Sequence, residues 1–415
     1  MTLKTRLLID YHIGGLAHLV LKPLVIFLGW LLRRDHHLET TTDVVVVKLL
    51  GGGSLIIAYP ALLAIKRQPN IKSLRLVASP TTKPFAELLG IFDEIIVIRE
   101  AGLMAVIADS LKALARLWRC DTMVDLEIHS RLSTIFCLLT AARNRVGFYT
   151  QGSFWRRGIS THLLFCQVNE GIYHFYDQVA QLLGAVVPPW EECSRTLRSF
   201  LQIDDRLSPR VNAEPLESSK VALRIAIAPC CSDLCKERML RPHEWATVLA
   251  AHFPSADSVK EIHLLGAPSD HDRLEAVRLA IEPLWPATRV LNRAASLSLG
   301  QSVHLITQMD QLLAVDSSML HSARLLGVPT VSYWGPTDPL TSLRPSDAPR
   351  DEVHYAKLPC SPCVHISSQT PCRGNNLCIR FAVNPAFPAN RNPPWLASHP
   401  DPQPRFHPLT VSAGR

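Results

Sequence analysis

From residue 43 the chain alternates short apolar runs with amphipathic stretches. The four valines at 44–47 form the continuous β-branched run of a parallel strand buried on both faces. Further strands are expected at 74–77, 94–98, 122–125 and 144–147, separated by helical periodicity at 55–67, 83–89, 103–118 and 131–142. That alternation predicts an α/β protein with a doubly wound sheet. A polar stretch containing Pro and Ser at 204–220 interrupts the pattern, which then restarts. Strands are expected at 223–228, 261–265, 288–291, 312–315 and 330–333, with helices at 242–252, 269–283, 298–308 and 319–326. Two successive α/β units predict two domains, 41–203 and 221–382, joined by 204–220. A cleft between two domains is a favoured ligand site.

Both ends depart from this pattern. Residues 13–32 are almost wholly apolar, with Lys22 and Pro23 inside and Arg33-Arg34 following. Spanning a bilayer takes about 20 apolar residues, so the length is borderline. The central lysine opposes insertion and the proline kinks a helix. No small-residue cleavage motif follows, against a secretory signal. The expectation is that segment 1–40 carries a helix lying in a membrane interface, with Lys4, Arg6, Lys22, Arg33 and Arg34 near anionic headgroups. The other reading docks the helix on the protein's own surface or in a dimer contact. At the far end, 383–415 is rich in proline and is expected to be disordered.

The chain has 415 residues, 47% of them hydrophobic, and a net charge of +7. The core fraction excludes general disorder. The mild basicity suits an anionic small molecule, an acidic glycolipid or a membrane surface. No helix-turn-helix, zinc-finger or RNA-binding signature accompanies it, so no nucleic-acid partner is expected. Of 11 cysteines, most are scattered, as in a reducing cytosol. Cys360, Cys363, Cys372 and Cys378 cluster late in the chain. Their first pair has a spacing that metals accept, but the second is looser than in a zinc ribbon. A folded loop with free thiols is the simpler reading.

Residues 315–339 carry the strongest chemical signal. The strand at 312–315 runs into Asp316, Ser317 and Ser318, then a helix bearing His321. The strand at 330–333 runs into Trp334-Gly335-Pro336-Thr337-Asp338-Pro339. Ligands of open α/β sheets bind outside the carboxyl ends of strands, and helix N-termini suit phosphate. Asp316 or Ser317 also fits an ordinary N-cap. Near the start, Gly51-Gly52-Gly53-Ser54 follows the first strand and lets a ligand approach the backbone. It is neither a Walker A loop nor a G-x-G-x-x-G fingerprint. In the second unit Ser232 can hydrogen-bond a phosphate and Lys236 can supply a compact charge. Arg238 and Arg241 are unassigned alternatives.

These blocks resemble glycosyltransferase family 9, the ADP-heptose:lipopolysaccharide heptosyltransferases and their relatives. The resemblance rests on Asp316, Ser317, His321, Ala323, Leu326, Gly327, Pro329 and Thr330, and on the intact Gly335-Pro336-Thr337-Asp338-Pro339. Ser318 stands where the family pattern has glycine. Lys48, Gly53, Ser54 and Pro60-Ala61-Leu62 resemble the family's first motif, and Ala228–Lys236 its donor-phosphate block. The resemblance implies a GT-B fold, two Rossmann-like domains with an interdomain cleft, the acceptor on the first and a nucleotide-sugar donor mainly on the second. It implies inverting, metal-independent transfer of a heptose-like sugar from an ADP-sugar, without a cofactor. The implied acceptor is lipopolysaccharide or another envelope glycan, met at the inner face of the cytoplasmic membrane. Donor contacts would come from Ser232, Lys236, Asp316, Ser317, Ser318, His321, Thr337 and Asp338; Gly51, Gly52 and Gly53 would face the acceptor. A cysteine-rich loop also recurs in this family as a structural feature.

One departure matters. The family usually has an aspartate, its proposed general base, where Ser54 stands. Serine accepts a proton poorly unless another base activates it. Asp125, Glu127 and His129, near another strand end, are the substitutes expected from sequence. The alternative is a non-catalytic sugar-nucleotide-binding or scaffold protein on the same fold. An epimerase would want a Tyr-x-x-x-Lys pair, and no suitable helix carries one.

Overall fold

The structure, a computed structural model, describes residues 3–31, 38, 41–167, 170–204, 222–232, 235–253, 255–345, 351–364, 370, 372 and 375–383. The expected linker beyond residue 204, the tail from 384, and Arg33 and Arg34 lie outside the described residues.

Among the described residues, twelve strands form two six-stranded sheets. The first contains β1 (Asp43–Lys48), β2 (Ser73–Ala78), β3 (Glu94–Val97), β4 (Thr122–Asp125), β5 (Asn144–Tyr149) and β6 (His162–Phe165), in the order β3-β2-β1-β4-β5-β6. The second contains β7 (Leu223–Ala228), β8 (Val259–Leu264), β9 (Arg289–Asn292), β10 (Gln311–Val315), β11 (Thr330–Trp334) and β12 (Asp351–Tyr355), in the order β12-β11-β10-β7-β8-β9. Every pairing is parallel. In the first sheet Val44 to Val47 are buried completely or nearly so, as a central strand covered on both faces requires.

The helices are α1 (Leu3–Leu31), α2 (Gly52–Ile57), α3 (Tyr59–Lys66), α4 (Lys83–Leu89), α5 (Leu103–Arg116), α6 (Arg131–Leu139), α7 (Ile172–Leu182), α8 (Trp190–Phe200), α9 (Pro242–His252), α10 (His271–Ile281), α11 (Leu299–Ile306), α12 (Ser318–Leu325), α13 (Pro339–Ser342) and α14 (Leu377–Val383). The single helix expected over 55–67 is divided between α2 and α3, because Pro60 brings no N–H to the ladder. The edge strands β6 and β12, and the helices α7 and α8, lie where no element was assigned from sequence.

One apolar core runs through both units, joining α2, α3 and α7 of the first to α12 of the second. Polar contacts reinforce it. Arg344 makes a bidentate pair with Asp177 on α7, at 2.6 and 2.7 Å. Arg198 on α8 donates to the Leu326 carbonyl at 2.8 Å. α14 packs on β11 and β12 and remains with the second sheet.

α1 is 29 residues long and contains Pro23. One stripe docks on α6. Asp10 accepts from Ser130 Oγ at 2.7 Å, Arg131 N at 3.0 Å and Leu132 N at 2.9 Å. It thereby satisfies N–H groups that a helix start leaves free, and its charge suits the helix dipole. Gly14 is needed there, since a Cβ would come within 2.7 Å of Arg131 Cβ. The other stripe is open: Leu16, Leu19, Val20, Phe27 and Trp30 are all more than half exposed.

Candidate functional site

The second-domain half of the site is built at the carboxyl ends of neighbouring strands β7, β10 and β11. Beyond β7 the chain reaches Ser232 and a short 3-10 turn, Lys236–Arg238. Beyond β10 comes Asp316, then Ser317, the N-cap of α12, whose hydroxyl accepts from Leu320 N. Arg238 Nη1 donates to Asp316 Oδ2 at 3.1 Å, and Arg238 Nη2 donates to Ser232 Oγ at 3.2 Å. His321 Nε2 lies 3.4 Å from Asp316 Oδ1. Burial alone would raise the Asp316 carboxyl; Arg238 and then His321 outweigh it and hold that group well below the usual carboxylate range. Thr337 Oγ1 faces the same carboxylate, buried and without a hydrogen bond of normal geometry. Asp338 caps α13 by accepting from Leu340 N at 2.9 Å.

The sequence therefore singled out Ser232, Asp316, Ser317, Ser318, His321 and Thr337, which the fold brings together. Lys236 is exposed on the same turn, while Arg238, left unassigned from sequence, holds Asp316. The signal for Arg238 was present only as one of several basic residues in a row. Which of them turns inward depends on the 3-10 geometry at Lys236–Arg238.

The first-domain half meets this cluster through its glycine turn. Gly51 caps α2 with φ 80°, a left-handed conformation that glycine adopts without strain. A Cβ on Gly53 would lie 3.2 Å from His321 Cδ2, 3.4 Å from Ser318 Cα and 3.6 Å from Ser318 N. The turn after β1 thus rests on the first turn of α12 after β10, which brings the carboxyl ends of β1 and β10 together.

Behind the glycine turn lies a buried polar network. Glu127 Oε1 accepts from Lys48 Nζ at 3.2 Å, Leu49 N at 2.7 Å and Leu50 N at 2.8 Å, fixing the path into the turn. Asp125 Oδ2 accepts from Ser133 Oγ and Thr134 Oγ1, both at 2.9 Å, and from Arg156 Nη2 at 3.1 Å. Its Oδ1 accepts from Glu127 N at 3.1 Å. Burial pushes this carboxyl up, against the pull of Arg156, Ser133 and Thr134. Ser54 sits beside the buried Tyr176 hydroxyl, which makes no hydrogen bond of normal length. His129 is exposed beside this network, near Glu127 and Lys48. The protein mass around its ring, then Arg156 and Lys48, lower its pKa below the ordinary imidazole value, leaving a neutral ring near pH 7.

The cysteine-rich loop backs the Gly335–Pro336 turn. Cys363 N and Val364 N both donate to the Pro336 carbonyl, at 3.0 and 3.1 Å. A Cβ on Gly335 would meet Ile379 Cβ at 2.8 Å and Cys378 Sγ at 3.0 Å. Cys378 is pushed up to about 11 by burial, with Cys363, Cys360 and Cys372 adding to the rise. The four thiols share one neighbourhood against the Gly335–Pro336 turn.

Two parallel Rossmann-like sheets with facing carboxyl edges and a helix N-terminus at their seam define the GT-B class. Residues 204–373 match the family model for glycosyltransferase family 9 (heptosyltransferase). A family 9 glycosyltransferase from Veillonella parvula has a similar structure, with a TM-score of 0.56 at 17% identity, covering 77% of this chain and 87% of that one. E. coli ADP-heptose lps heptosyltransferase II aligns with a TM-score of 0.55 at 18% identity, over 82% of this chain and 98% of its own. E. coli heptosyltransferase WaaC with ADP-2-deoxy-2-fluoro heptose gives 0.55 at 14% identity, over 75% and 92%. At these identities the likeness is one of fold. No curated protein sequence matches the chain.

Proposed function

We propose that this protein transfers a sugar, with inversion, from a nucleoside-diphosphate donor of the ADP-heptose kind to a lipid-linked envelope glycan such as lipopolysaccharide. The observation that carries the reading is the convergence of Ser232, Arg238, Asp316 and the α12 N-terminus against Gly53 of the opposite lobe. Arg238 and Lys236, with the first N–H groups of α12, stabilise charge developing on the departing diphosphate. Asp316 orients Arg238 and the sugar hydroxyls, and Thr337 and Asp338 shape the nucleotide edge. That positive set carries the leaving-group charge without calling on a metal.

For the base, His129 has the best-supported position. Its ring is exposed and held neutral, whereas Asp125 accepts four hydrogen bonds. Ser130, the next residue, is bonded to Asp10 of α1 at 2.7 Å. The apolar outer stripe of α1 is therefore tethered one residue from the proposed base. This favours an acceptor that arrives from a membrane surface, with the protein peripheral on the cytoplasmic side. The test is ADP release from ADP-sugars by the full-length protein, with and without lipid-linked acceptor. His129→Ala should lower kcat by about 10²–10⁴ while ADP binding persists. Absence of both binding and turnover would overturn the reading. Binding without turnover would favour a non-catalytic sugar-nucleotide binder, the second reading raised by Ser54.

A further inference from the structure

A second cluster of metal-binding chemistry sits on the outer strands of the second sheet. Glu352 and His354 lie two apart on edge strand β12, hence on one face. Tyr333 pairs in register with His354 and stacks on it, with ring centroids 4.7 Å apart and planes at 17°. His252, the last residue of α9, closes the group from above. One ligand atom from each of His252, Glu352 and His354 lies within 4.8 Å of the others. His354 Nε2 is 2.7 Å from Glu352 Oε1, and His252 Nδ1 is 3.9 Å from Glu352 Oε2.

From this geometry we propose that His252, Glu352 and His354 form a three-ligand site for a divalent first-row transition metal of the zinc class, with water in the fourth position. Tetrahedral zinc at its usual bond lengths sets ligand atoms about 3.4 Å apart. The two distances above bracket that value and the third lies within 4.8 Å, so modest side-chain shifts accommodate the ion. His252 Nε2 is 2.6 Å from the Tyr333 hydroxyl. Metal on Nδ1 requires the proton on Nε2, and the Tyr333 oxygen stands where it can accept that hydrogen bond. Such an outer partner orients a ligating imidazole and raises its basicity. Two imidazoles and one carboxylate are the donor types that zinc takes in mixed sites. The role is structural: the ion fastens the end of α9 to β11 and β12. It stabilises the folded form by mass action. The residues of the sugar-transfer site are not among its ligands.

The cysteine loop is a competing metal binder, so the experiment separates the two. Full-length protein stripped with chelator is titrated with Co²⁺ and with Zn²⁺, in wild type and in a Cys360→Ser/Cys363→Ser background. The expected result is one equivalent of Co²⁺ showing visible d–d absorption without a thiolate-to-metal charge-transfer band, and a saturable Zn²⁺-dependent rise in Tm. Both should persist in the cysteine variant. Both should vanish in His354→Gln and in the more exposed Glu352→Gln, with metal-free circular dichroism unchanged in at least one of them. Tyr333→Phe should weaken binding about ten-fold. Binding that survives Glu352→Gln, a charge-transfer band lost only with the cysteines, or no saturable uptake would each overturn the proposal. In the last case the cluster is simply a hydrogen-bonded His–Glu pair.

Discussion

Arg238 and Asp316 form an ion pair of 3.1 Å that ties the turn after β7 to the carboxyl end of β10. Both side chains are mostly buried, at 15% and 8% exposure, so neither is easily replaced by water. Arg238→Ala should therefore lower stability by about 3–5 kcal/mol, since it strands a buried carboxylate. It should also weaken ADP binding more than Lys236→Ala does. The pH dependence has a definite sign. The folded Asp316 group lies below its unfolded value, so its contribution is full above about pH 4 and is lost as pH falls further. Urea unfolding between about pH 7 and about pH 3 should show a smaller stability loss in Asp316→Asn than in wild type. Equal slopes would mean that the pair is not formed in solution.

Gly53 is a contact between lobes as much as a turn residue. The nearest atoms to a Cβ there are on His321 and Ser318, at 3.2–3.6 Å, tight enough that the neighbour must give by a few tenths of an ångström. Gly53→Ala should be folded but shift the lobes slightly, and Gly53→Val should raise the KM for nucleotide sugar by ten-fold or more, on the order of 1.4 kcal/mol. Steady-state kinetics with circular dichroism will check this. An unchanged KM in a folded Gly53→Val would place the donor elsewhere.

Ser54 and Asp125 lead to opposite expectations. Ser54 faces the Tyr176 hydroxyl and has no partner among the described residues that would take its proton, so Ser54→Ala should retain most turnover. Asp125→Ala should unfold the first domain more readily, by about 3–5 kcal/mol, because it leaves buried Arg156 unpaired. Any activity loss in Asp125→Ala should then track the folded fraction. A stable but inactive Asp125→Ala would instead identify it as the base.

Much of this architecture was legible in the chain because central parallel strands are coded by continuous apolar runs. Val44–Val47 and the runs leading to Asp316 and Trp334 are such cases. β12 was not legible, because Asp351–Tyr355 is an edge strand whose polar Glu352 and His354 interact with α9 and Tyr333 rather than with a core. β6 is short and half-exposed for the same reason. Within the site, Asp316 and the Gly335–Asp338 turn could be read from their position at strand ends. Arg238 could not, since only the local turn decides whether it or Lys236 faces inward. The network of Glu127 with Lys48 and the Leu49 and Leu50 N–H groups depends on contacts between residues as far as 79 positions apart, which no local pattern records.

The open stripe of α1 can be tested without removing the helix. Deleting it would also remove Asp10, which satisfies backbone N–H groups at the start of α6, and would confuse folding with membrane binding. The better change is on the outer face. Leu19 and Trp30 are each 73% exposed, and both line a shallow, open apolar groove on α1 together with His18, Lys22, Pro23, Ile26 and Phe27. Full burial of such side chains in an acyl region contributes roughly 1.5–3 kcal/mol each, and Lys22 beside them adds about 1 kcal/mol on an anionic surface. Leu19→Ser/Trp30→Ser should therefore lower partitioning to vesicles containing phosphatidylserine by about 10²-fold or more while leaving Tm and ADP affinity unchanged. Lys22→Gln should weaken binding to anionic vesicles and leave binding to neutral ones unaltered. If the double variant floats with vesicles as well as wild type does, the stripe is a protein contact, and its partner should then appear as a change in oligomeric state on gel filtration.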